Sequence, residues 1–335
     1  MTLAEIARLA GVSRTTASYV INGQARARRI SQETVDKVMA VVEQHHYRID
    51  AQAAALRRGA SHTLGLIIPD LENASYARLA KRLERGARAQ GYQLLIVGSD
   101  DDPDSERELA RALRAQRCEA LITASCLPEE DPLYVELMAA GLPVIAVDRA
   151  LDPSRFVSVV SNNREAARQL SASVLGPGVE RVVWFDAVAE LSITRARRTG
   201  FRAAMAEGDY RSEIACASRY DRDQGAALMR DLLAGPGLPD ALITASFTLL
   251  DGVLDVLLEE GGLPPSLRLA TFGDDRLLDF LPLPVNALPQ DHDRIAELTL
   301  SRALDAARGH YVPGQVLVER RLHRRLPLAA PDRLI

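Results

Sequence analysis

Near the N-terminus, apolar residues recur at helical spacing in three short groups. The first group lies over residues 2–10 and ends at Gly11, and Ser13 is placed to cap a second helix over about 14–21. A third helix is predicted from Ser31, because Ser followed by Gln-Glu-Thr is typical of a helix N-terminus. Three short helices with a glycine turn between the first two predict a helix-turn-helix unit.

From Leu64 onward the pattern changes to short apolar runs that alternate with amphipathic stretches. The predicted strands are Leu64–Ile68, Gln93–Val97, Ala120–Thr123, Pro143–Val147, Val157–Val160, Arg181–Phe185, Ala241–Thr244 and Leu267–Phe272. The predicted helices are Tyr76–Gln90, Asp104–Gln116, Asn163–Val174, Thr194–Ala206, Asp221–Leu233 and Leu249–Glu260. This alternation predicts parallel sheets with helices on both faces, and ligands on such sheets bind beyond the carboxyl ends of the strands.

Charge divides the chain in the same way as the apolar pattern. The whole sequence has a net charge of -4, with 47% hydrophobic and 26% charged residues, which is ordinary for a folded globular protein. Residues 1–60 contain nine Lys and Arg against five Asp and Glu, a net +4, so the remainder carries -8. A basic head on an acidic body is consistent with a phosphate-seeking module attached to a separate unit.

Several classes of function are disfavoured by what the sequence lacks. It contains no Gly-x-Ser-x-Gly, no P-loop, no Gly-x-Gly-x-x-Gly after a strand and no zinc-ligand spacing, so we expect no enzymatic activity, cofactor or metal. No apolar run approaches the roughly 18 to 20 residues that cross a bilayer, and no signal-peptide core follows Met1. We therefore expect a cytoplasmic protein that makes no contact with a membrane.

The segment from Leu3 to Gly23 resembles the head of the lactose-repressor (LacI/GalR) family, whose second helix lies in the major groove of DNA. A recognition helix needs small or polar side chains at its start, and the second helix has Arg14, Thr15, Thr16, Ser18 and Tyr19. The resemblance assigns base contacts to Arg14, Thr15 and Tyr19, and phosphate contacts to Ser13, Thr16 and Asn22. The alternative is an exposed helix that binds nothing, or one that contacts another protein.

Residues 47–59 resemble the hinge helix of the same family, which orders only on DNA and inserts a leucine into the minor groove. Leu56 occupies that position. Such a wedge unstacks base steps and reads the deformability of the operator centre. The alternative for Leu56 is a linker residue that rests on the core. Gln52 stands where relatives often have an apolar residue, which puts hinge-to-hinge packing in a dimer in doubt.

The body resembles the periplasmic-binding-protein-like core of this family, in which two doubly wound parallel-sheet subdomains close on a small molecule. The implied organisation is a helix-turn-helix head over 1–58 with a hinge helix at about 51–58, a linker over 59–63, a core over 64–326 and a tail over 327–335. Within the core, the first subdomain is expected at about 64–161 and 290–310, and the second at about 162–285 and 311–326. Pro284–Asp291 is expected to be the last crossing between them.

Effector-binding residues are expected in the loops after the strands. Ser75 lies at a helix N-terminus, which favours anions, and is the candidate contact there; the alternative is a plain helix cap. The pair Asp148-Arg149 matches the family at the crevice between the subdomains. The spacing between Arg197 and the pair Gly200-Phe201 resembles that of the family's effector-binding arginine. A guanidinium at this position holds a phosphate or paired hydroxyls. The alternative is that Arg197 lies on a solvated helical face.

Two loops depart from the family pattern. Many sugar-binding members have Asn-Asp after the strand that here ends in Thr244-Ala-Ser246-Phe247. The exchange removes a negative charge and leaves Ser246 as a candidate contact and Phe247 as a candidate wall. The order around Asp274 is permuted, so this residue is either the pocket carboxylate or the cap of the following turn.

Together with the match to the family along nearly the whole chain, these departures resemble one branch of the family. The resemblance implies that a sugar phosphate, most of all fructose 1-phosphate, lowers the affinity of the protein for operator DNA by a population shift. A two-fold operator requires a two-fold protein, so a homodimer or tetramer is expected. One alternative is a regulator of the same family that answers to a different sugar or sugar phosphate. A periplasmic sugar receptor is a more remote alternative, because it would carry a signal peptide and lack the head.

Overall fold

A computed structural model describes residues 1–46 and 60–326. The chain divides into two compact units, Met1–Ser61 and His62–Ile335. The expected hinge helix with Leu56 and the tail over 327–335 lie outside the described residues.

The first unit contains three helices, α1 (Leu3–Leu9), α2 (Arg14–Ile21) and α3 (Gln32–Gln44). Each is capped by a hydroxyl side chain that accepts the backbone N–H of the third residue after it; the caps are Thr2, Ser13 and Ser31. Gly11 has φ +65°, a left-handed conformation that glycine adopts without a steric penalty, and it turns the chain between α1 and α2. The helices enclose a small core of Leu3, Ile6, Ala7, Ala17, Val20 and Val38.

The second unit contains two parallel sheets. The strands are β1 (Thr63–Ile68), β2 (Gln93–Gly98), β3 (Ala120–Thr123), β4 (Val144–Val147), β5 (Val157–Ser161), β6 (Arg181–Ala187), β7 (Arg211–Ala217), β8 (Ala241–Thr244), β9 (Arg268–Phe272), β10 (Val285–Leu288) and β11 (Gly314–Val318). The first sheet has the order β11-β5-β4-β3-β1-β2 and the second β10-β9-β8-β6-β7. All paired strands in both sheets are parallel, as the alternation of strand and helix predicts.

Helices cover both faces of each sheet. They are α4 (Ala74–Ala89), α5 (Pro103–Ala115), α6 (Leu133–Ala139), α7 (Asn163–Ala172), α8 (Ser192–Met205), α9 (Arg222–Ala234), α10 (Phe247–Glu259) and α11 (His292–Ala307), with a short 3₁₀ turn at Arg276–Asp279. The central strands β1, β3, β4 and β8 are buried almost throughout, which explains their continuous apolar sequences.

The chain passes between the two sheets three times, and one expected boundary is wrong. It leaves the first sheet after β5, returns over 289–291 after β10 to form α11 and β11 on the first sheet, and leaves that sheet again after β11. Residues 311–326 were expected in the second subdomain, but β11 pairs with β5 along its whole length. Only the following segment returns to the second sheet, where His323 bridges Ala287. Residues 289–291 follow β10, so the expected crossing Pro284–Asp291 also contains an edge strand of the second sheet.

In the part of the chain that the structure describes, no helix is long and apolar enough to cross a membrane. The same residues contain no cluster of three or more His, Cys, Asp or Glu side chains that could hold a metal ion.

Candidate functional site

The exposed face of α2 presents the polar residues that the sequence assigned to DNA. Ala17 and Val20 face the core of the first unit, while Arg14 and Thr15 are exposed. The guanidinium of Arg28 stacks on the ring of Tyr19, with its Cζ 4.7 Å from the ring centroid. Apolar contacts therefore hold the inner face of the helix, and Arg14 and Thr15 remain exposed on its outer face.

Ser13, Thr16, Ser18 and Asn22 bond within their own helix. The Ser13 hydroxyl accepts the backbone N–H of Thr16 at 3.0 Å and bonds its hydroxyl at 2.8 Å. The Asn22 amide donates to the carbonyl of Ser18 at 2.7 Å and lies 3.3 Å from its hydroxyl. These bonds fix both ends of α2, and the DNA contacts of all these residues stay predictions.

A cavity of about 160 Å³ lies between the two sheets, beyond the carboxyl ends of their strands. All seven residues that the sequence assigned to an effector border it: Ser75, Asp148, Arg149, Arg197, Ser246, Phe247 and Asp274. The lining also includes residues that the sequence analysis did not single out, among them Tyr76, Arg78, Phe272, Gln290, His292 and Arg320. The loops after β1, β4, β8 and β9 and the start of α8 thus converge on one space.

Two buried arginines, Arg197 and Arg320, lie against one aromatic ring at this cavity. Their Cζ atoms are 4.2 and 5.3 Å from the centroid of Phe272, and the residues are 5% and 6% exposed. Arg197 donates to the amide oxygen of Asn163 at 2.9 Å and to the carbonyl of Ala245 at 2.7 Å. We call Arg197 and Arg320 the arginine pair.

The arginine pair is short of negative charge. Arg320 donates to the carbonyl of Leu288 at 3.0 Å, and its Nε is buried without a partner. None of the ion pairs formed by residues 60–326 includes either guanidinium. The pKa of Arg320 is lowered to about 9, mainly by burial and secondly by the charge of Arg197. Two buried cations that hydrogen-bond only to neutral groups favour an anion between or beside them.

Asp148 lies near the arginine pair but is held by other groups. Its carboxylate accepts the hydroxyl of Tyr76 at 2.9 Å and the amide of Gln290 at 2.9 Å. Burial alone would raise the pKa of Asp148, but the charges of Arg197 and Arg320, the hydrogen bond from Tyr76 and the charge of Arg149 together outweigh it, and the pKa lies below its ordinary value. One carboxylate thus faces two guanidiniums, which leaves a net positive charge.

Three other predicted residues bond to the protein itself, and of their polar atoms the Nε of Arg149 is buried without a partner. Arg149 is 3% exposed and pairs with Asp101 at 2.5 Å. Ser246 caps α10 by accepting the N–H of Leu249 at 3.2 Å. The Asp274 carboxylate bonds His323 at 2.8 Å and Arg325 at 3.0 Å. A turn cap was the alternative for Asp274; in this structure 3₁₀ Arg276–Asp279 is capped by the next residue, Asp275.

Ser75 lies inside α4, whose cap is Asn73. The Ser75 hydroxyl donates to Gln290 at 3.0 Å and lies 2.9 Å from the Nε2 of His292. The pKa of His292 is lowered to about 4 by burial and then by the charges of Arg320, Arg82 and Arg78. His292 is therefore neutral at pH 7 and helps to fix Ser75 at the cavity.

The lowered pKa of His292 predicts a loss of stability in mild acid. An ordinary histidine has a pKa of 6.5, so between pH 6.5 and about 4 the unfolded chain binds more protons at this position than the folded one. The contribution is complete above pH 6.5 and is lost as the pH falls towards 4. We expect His292→Gln to lose less stability than the native protein between pH 7 and pH 5, measured by urea unfolding. Equal losses of stability in the two proteins would contradict the lowered pKa of His292.

Polar contacts from two residues, Asn73 and Arg78, join the subdomains across the cavity. Asn73 donates to the hydroxyl of Thr248 at 3.3 Å. Arg78 pairs with Asp275 at 2.5 Å and donates to the carbonyl of Asp274 at 3.2 Å. The cavity is thus bordered by bonds that would break if the two sheets moved apart.

The sequence analysis missed Arg320, Gln290 and His292 because their elements lack a strong apolar pattern. Arg320 follows β11, an edge strand with alternating exposure, and the other two lie where the chain returns to the first sheet. No signal in the sequence was available for Arg320, because the acidic Glu319 separates it from the short run Val316-Leu317-Val318.

The architecture defines a class: a helix-turn-helix unit is joined in one chain to a two-sheet unit with a cavity bordered by charged side chains, as in ligand-controlled transcription regulators. Two family models match the chain. One, for bacterial regulatory proteins of the lacI family, covers residues 2–50, and the other, for periplasmic binding proteins and the sugar binding domain of the LacI family, covers residues 61–266. The chain belongs to the LacI family of DNA-binding transcription regulators. This family consists of regulators and not enzymes, which confirms the predicted class.

Two curated relatives match nearly the whole chain. The fructose operon regulatory protein of Vibrio cholerae is 50% identical over 322 residues, which cover 96% of this chain and 99% of that protein. The catabolite repressor/activator of Escherichia coli K12 is 46% identical over 329 residues, with 97% and 98% covered. The predicted branch of the family, regulators of carbon metabolism, is therefore confirmed.

Solved structures agree in fold. The Cra transcriptional dual regulator of Pseudomonas putida, in complex with fructose 1-phosphate, matches with a TM-score of 0.77 and 50% identity, covering 79% of this chain and 99% of that one. The lac repressor dimer bound to operator and an anti-inducer matches with a TM-score of 0.83 over 98% of this chain and 99% of that one. At 19% identity, the second match concerns the fold alone.

Proposed function

We propose that the chain regulates genes of sugar metabolism by binding operator DNA as a homodimer or tetramer in the cytoplasm, and that fructose 1-phosphate bound in the cavity lowers its operator affinity. The arginine pair carries the effector part of the proposal. Two buried guanidiniums face one carboxylate, and a phosphate group, which carries between one and two negative charges near pH 7, would balance them.

The relatives support the same class of effector. One is named for the fructose operon, and another of 50% identity forms a complex with fructose 1-phosphate. The departure at Ser246 and Phe247 points in the same direction, because an aromatic ring stands where many sugar-binding members have a carboxylate that would repel phosphate. We propose Ser75, Asp148, Arg149, Ser246, Phe247 and Asp274 as the remaining walls of the effector site.

The DNA part of the proposal rests on α2. We propose that Arg14, Thr15 and Tyr19 read bases, with Ser13, Thr16 and Asn22 at phosphates and Ser18 beside them. The predicted insertion of Leu56 into the minor groove belongs to the same proposal, and its residue lies outside the described part of the chain.

Titration with matched sugars tests the effector. We expect fructose 1-phosphate to raise the melting temperature and release the protein from its operator, because a ligand that binds only one state stabilises that state. Fructose at the same concentration should do neither, since it lacks the phosphate. Equal responses to both sugars would contradict the anion argument, and a response to another sugar phosphate alone would move the protein to a different effector.

A further inference from the structure

The arginine pair is anchored to the point where the chain first leaves the first sheet. β5 ends at Ser161, and Asn163 is the first residue of α7 in the second subdomain. The dipeptide Asn162-Asn163 is therefore part of the crossing itself. The sequence predicts the boundary between the two subdomains at this point, and the structure shows what the two amide side chains contact there.

Asn163 holds the side chain of Arg197. Its amide oxygen accepts the Arg197 Nε–H at 2.9 Å, and its amide nitrogen donates to the carbonyl of Ser161 at 3.2 Å. The residue is 6% exposed, so water does not compete freely for these bonds. One buried amide thus joins the guanidinium to the backbone of the crossing.

Asn162 does the same for the backbone beside the other arginine. Its side-chain oxygen accepts the N–H of Arg320 at 2.9 Å, and its own N–H donates to the carbonyl of Val318 at 3.3 Å. The backbone of Arg320, just after β11, is thereby hydrogen-bonded to the crossing. Two consecutive amide side chains hold both members of the arginine pair.

We infer that Asn163 is a positioning residue for anion binding, which acts on the effector through Arg197 and ties that arginine to the crossing. The inference rests on the proposed function. An amide suits this role better than a carboxylate would, because it orients the guanidinium without neutralising the charge that attracts the anion. The guanidinium is held by neutral acceptors on one side and stays charged towards the cavity.

A double-mutant cycle on the full chain tests the inference by calorimetric titration with fructose 1-phosphate. Asn163→Ala should weaken binding about tenfold, the loss expected for a hydrogen bond to a charged group. Arg197→Lys keeps a positive charge but removes the Nε–H that Asn163 accepts. In that background Asn163→Ala should change the affinity less than about twofold.

The two ways of failing are distinct. Equal fold losses in the native and Arg197→Lys backgrounds would show that Asn163 does not act through Arg197, and would overturn this inference alone. An unchanged affinity in Arg197→Lys itself would overturn the proposed function and this inference with it. Gln169→Ala, which removes an exposed side-chain bond to Glu165 on the same helix, is the control and should leave the affinity unchanged.

Asn163→Asp separates positioning from folding. The carboxylate still accepts the Arg197 Nε–H, and a negative charge in the first turn of α7 is favourable to the helix. We expect the melting temperature without ligand to stay the same or rise, while the rise caused by fructose 1-phosphate becomes smaller. A ligand-induced rise equal to that of the native protein would overturn the inference, because the added carboxylate beside Arg197 would then not weaken the binding of the anion.

Discussion

Arg197→Ala should weaken the binding of fructose 1-phosphate by roughly thirtyfold or more, since truncating one side of a buried charged contact costs about 2 kcal/mol or more. The variant should also stay on operator DNA at effector concentrations that release the native protein. Calorimetry and an operator gel-shift titration at fixed salt measure the two effects. The expected size follows from burial, because Arg197 is 5% exposed and water replaces little of what it provides.

Arg202→Ala is the matched control for Arg197→Ala. It removes the same kind of side chain from the exposed face of the same helix, α8, away from the cavity lining. Its effector response should equal that of the native protein. If both variants lost the response to the same extent, general damage to α8 would explain the loss, and the direct role of Arg197 would be wrong.

Arg14→Ala should weaken operator binding about 5- to 150-fold, the equivalent of about 1–3 kcal/mol for a lost base contact. Arg14 is exposed at the first turn of α2, so its removal should leave the fold of the first unit unchanged. The operator for this test is selected from a random-sequence pool with the native protein. Binding to random DNA at the same salt concentration should fall much less, because only the electrostatic attraction between Arg14 and the DNA phosphates is lost there.

Arg8→Ala provides the comparison for Arg14→Ala. Arg8 is also exposed, but it lies on α1 and not on the recognition helix. The two variants lose the same charge, so a purely electrostatic role predicts equal effects on operator and random DNA. A larger loss for Arg14→Ala on the operator is the result that supports base reading, and equal losses would contradict it.

The fold was predictable where strands are buried on both faces. Ala120–Thr123 and Ala241–Thr244 have the predicted bounds because each is a continuous apolar run inside a sheet. β7, β10 and β11 were missed, and all three are edge strands. β7 begins Arg-Ser-Glu and β11 alternates in exposure, while β10 carries the buried Asn286, which bonds Ser173 instead of contributing to an apolar run.

The residues that border the cavity were predictable from the strand ends, but their bonding partners were not. Residues after predicted strands, such as Asp148 and Asp274, do border it, since parallel strands end at a common edge. Sequence spacing could not show that Arg149 is paired with Asp101 or that Asp274 is held by Arg325, because those partners come from distant parts of the chain. Arg320 was out of reach for the same reason as its strand.

The ring that carries the arginine pair also touches Trp184, with 6.2 Å between ring centroids. The sequence contains one tryptophan, and this residue is fully buried. Its indole therefore reports on a single environment, one aromatic ring away from the two guanidiniums. Intrinsic fluorescence of the unlabelled protein is the natural optical signal for occupancy of the cavity, and it needs neither DNA nor a dye to be read.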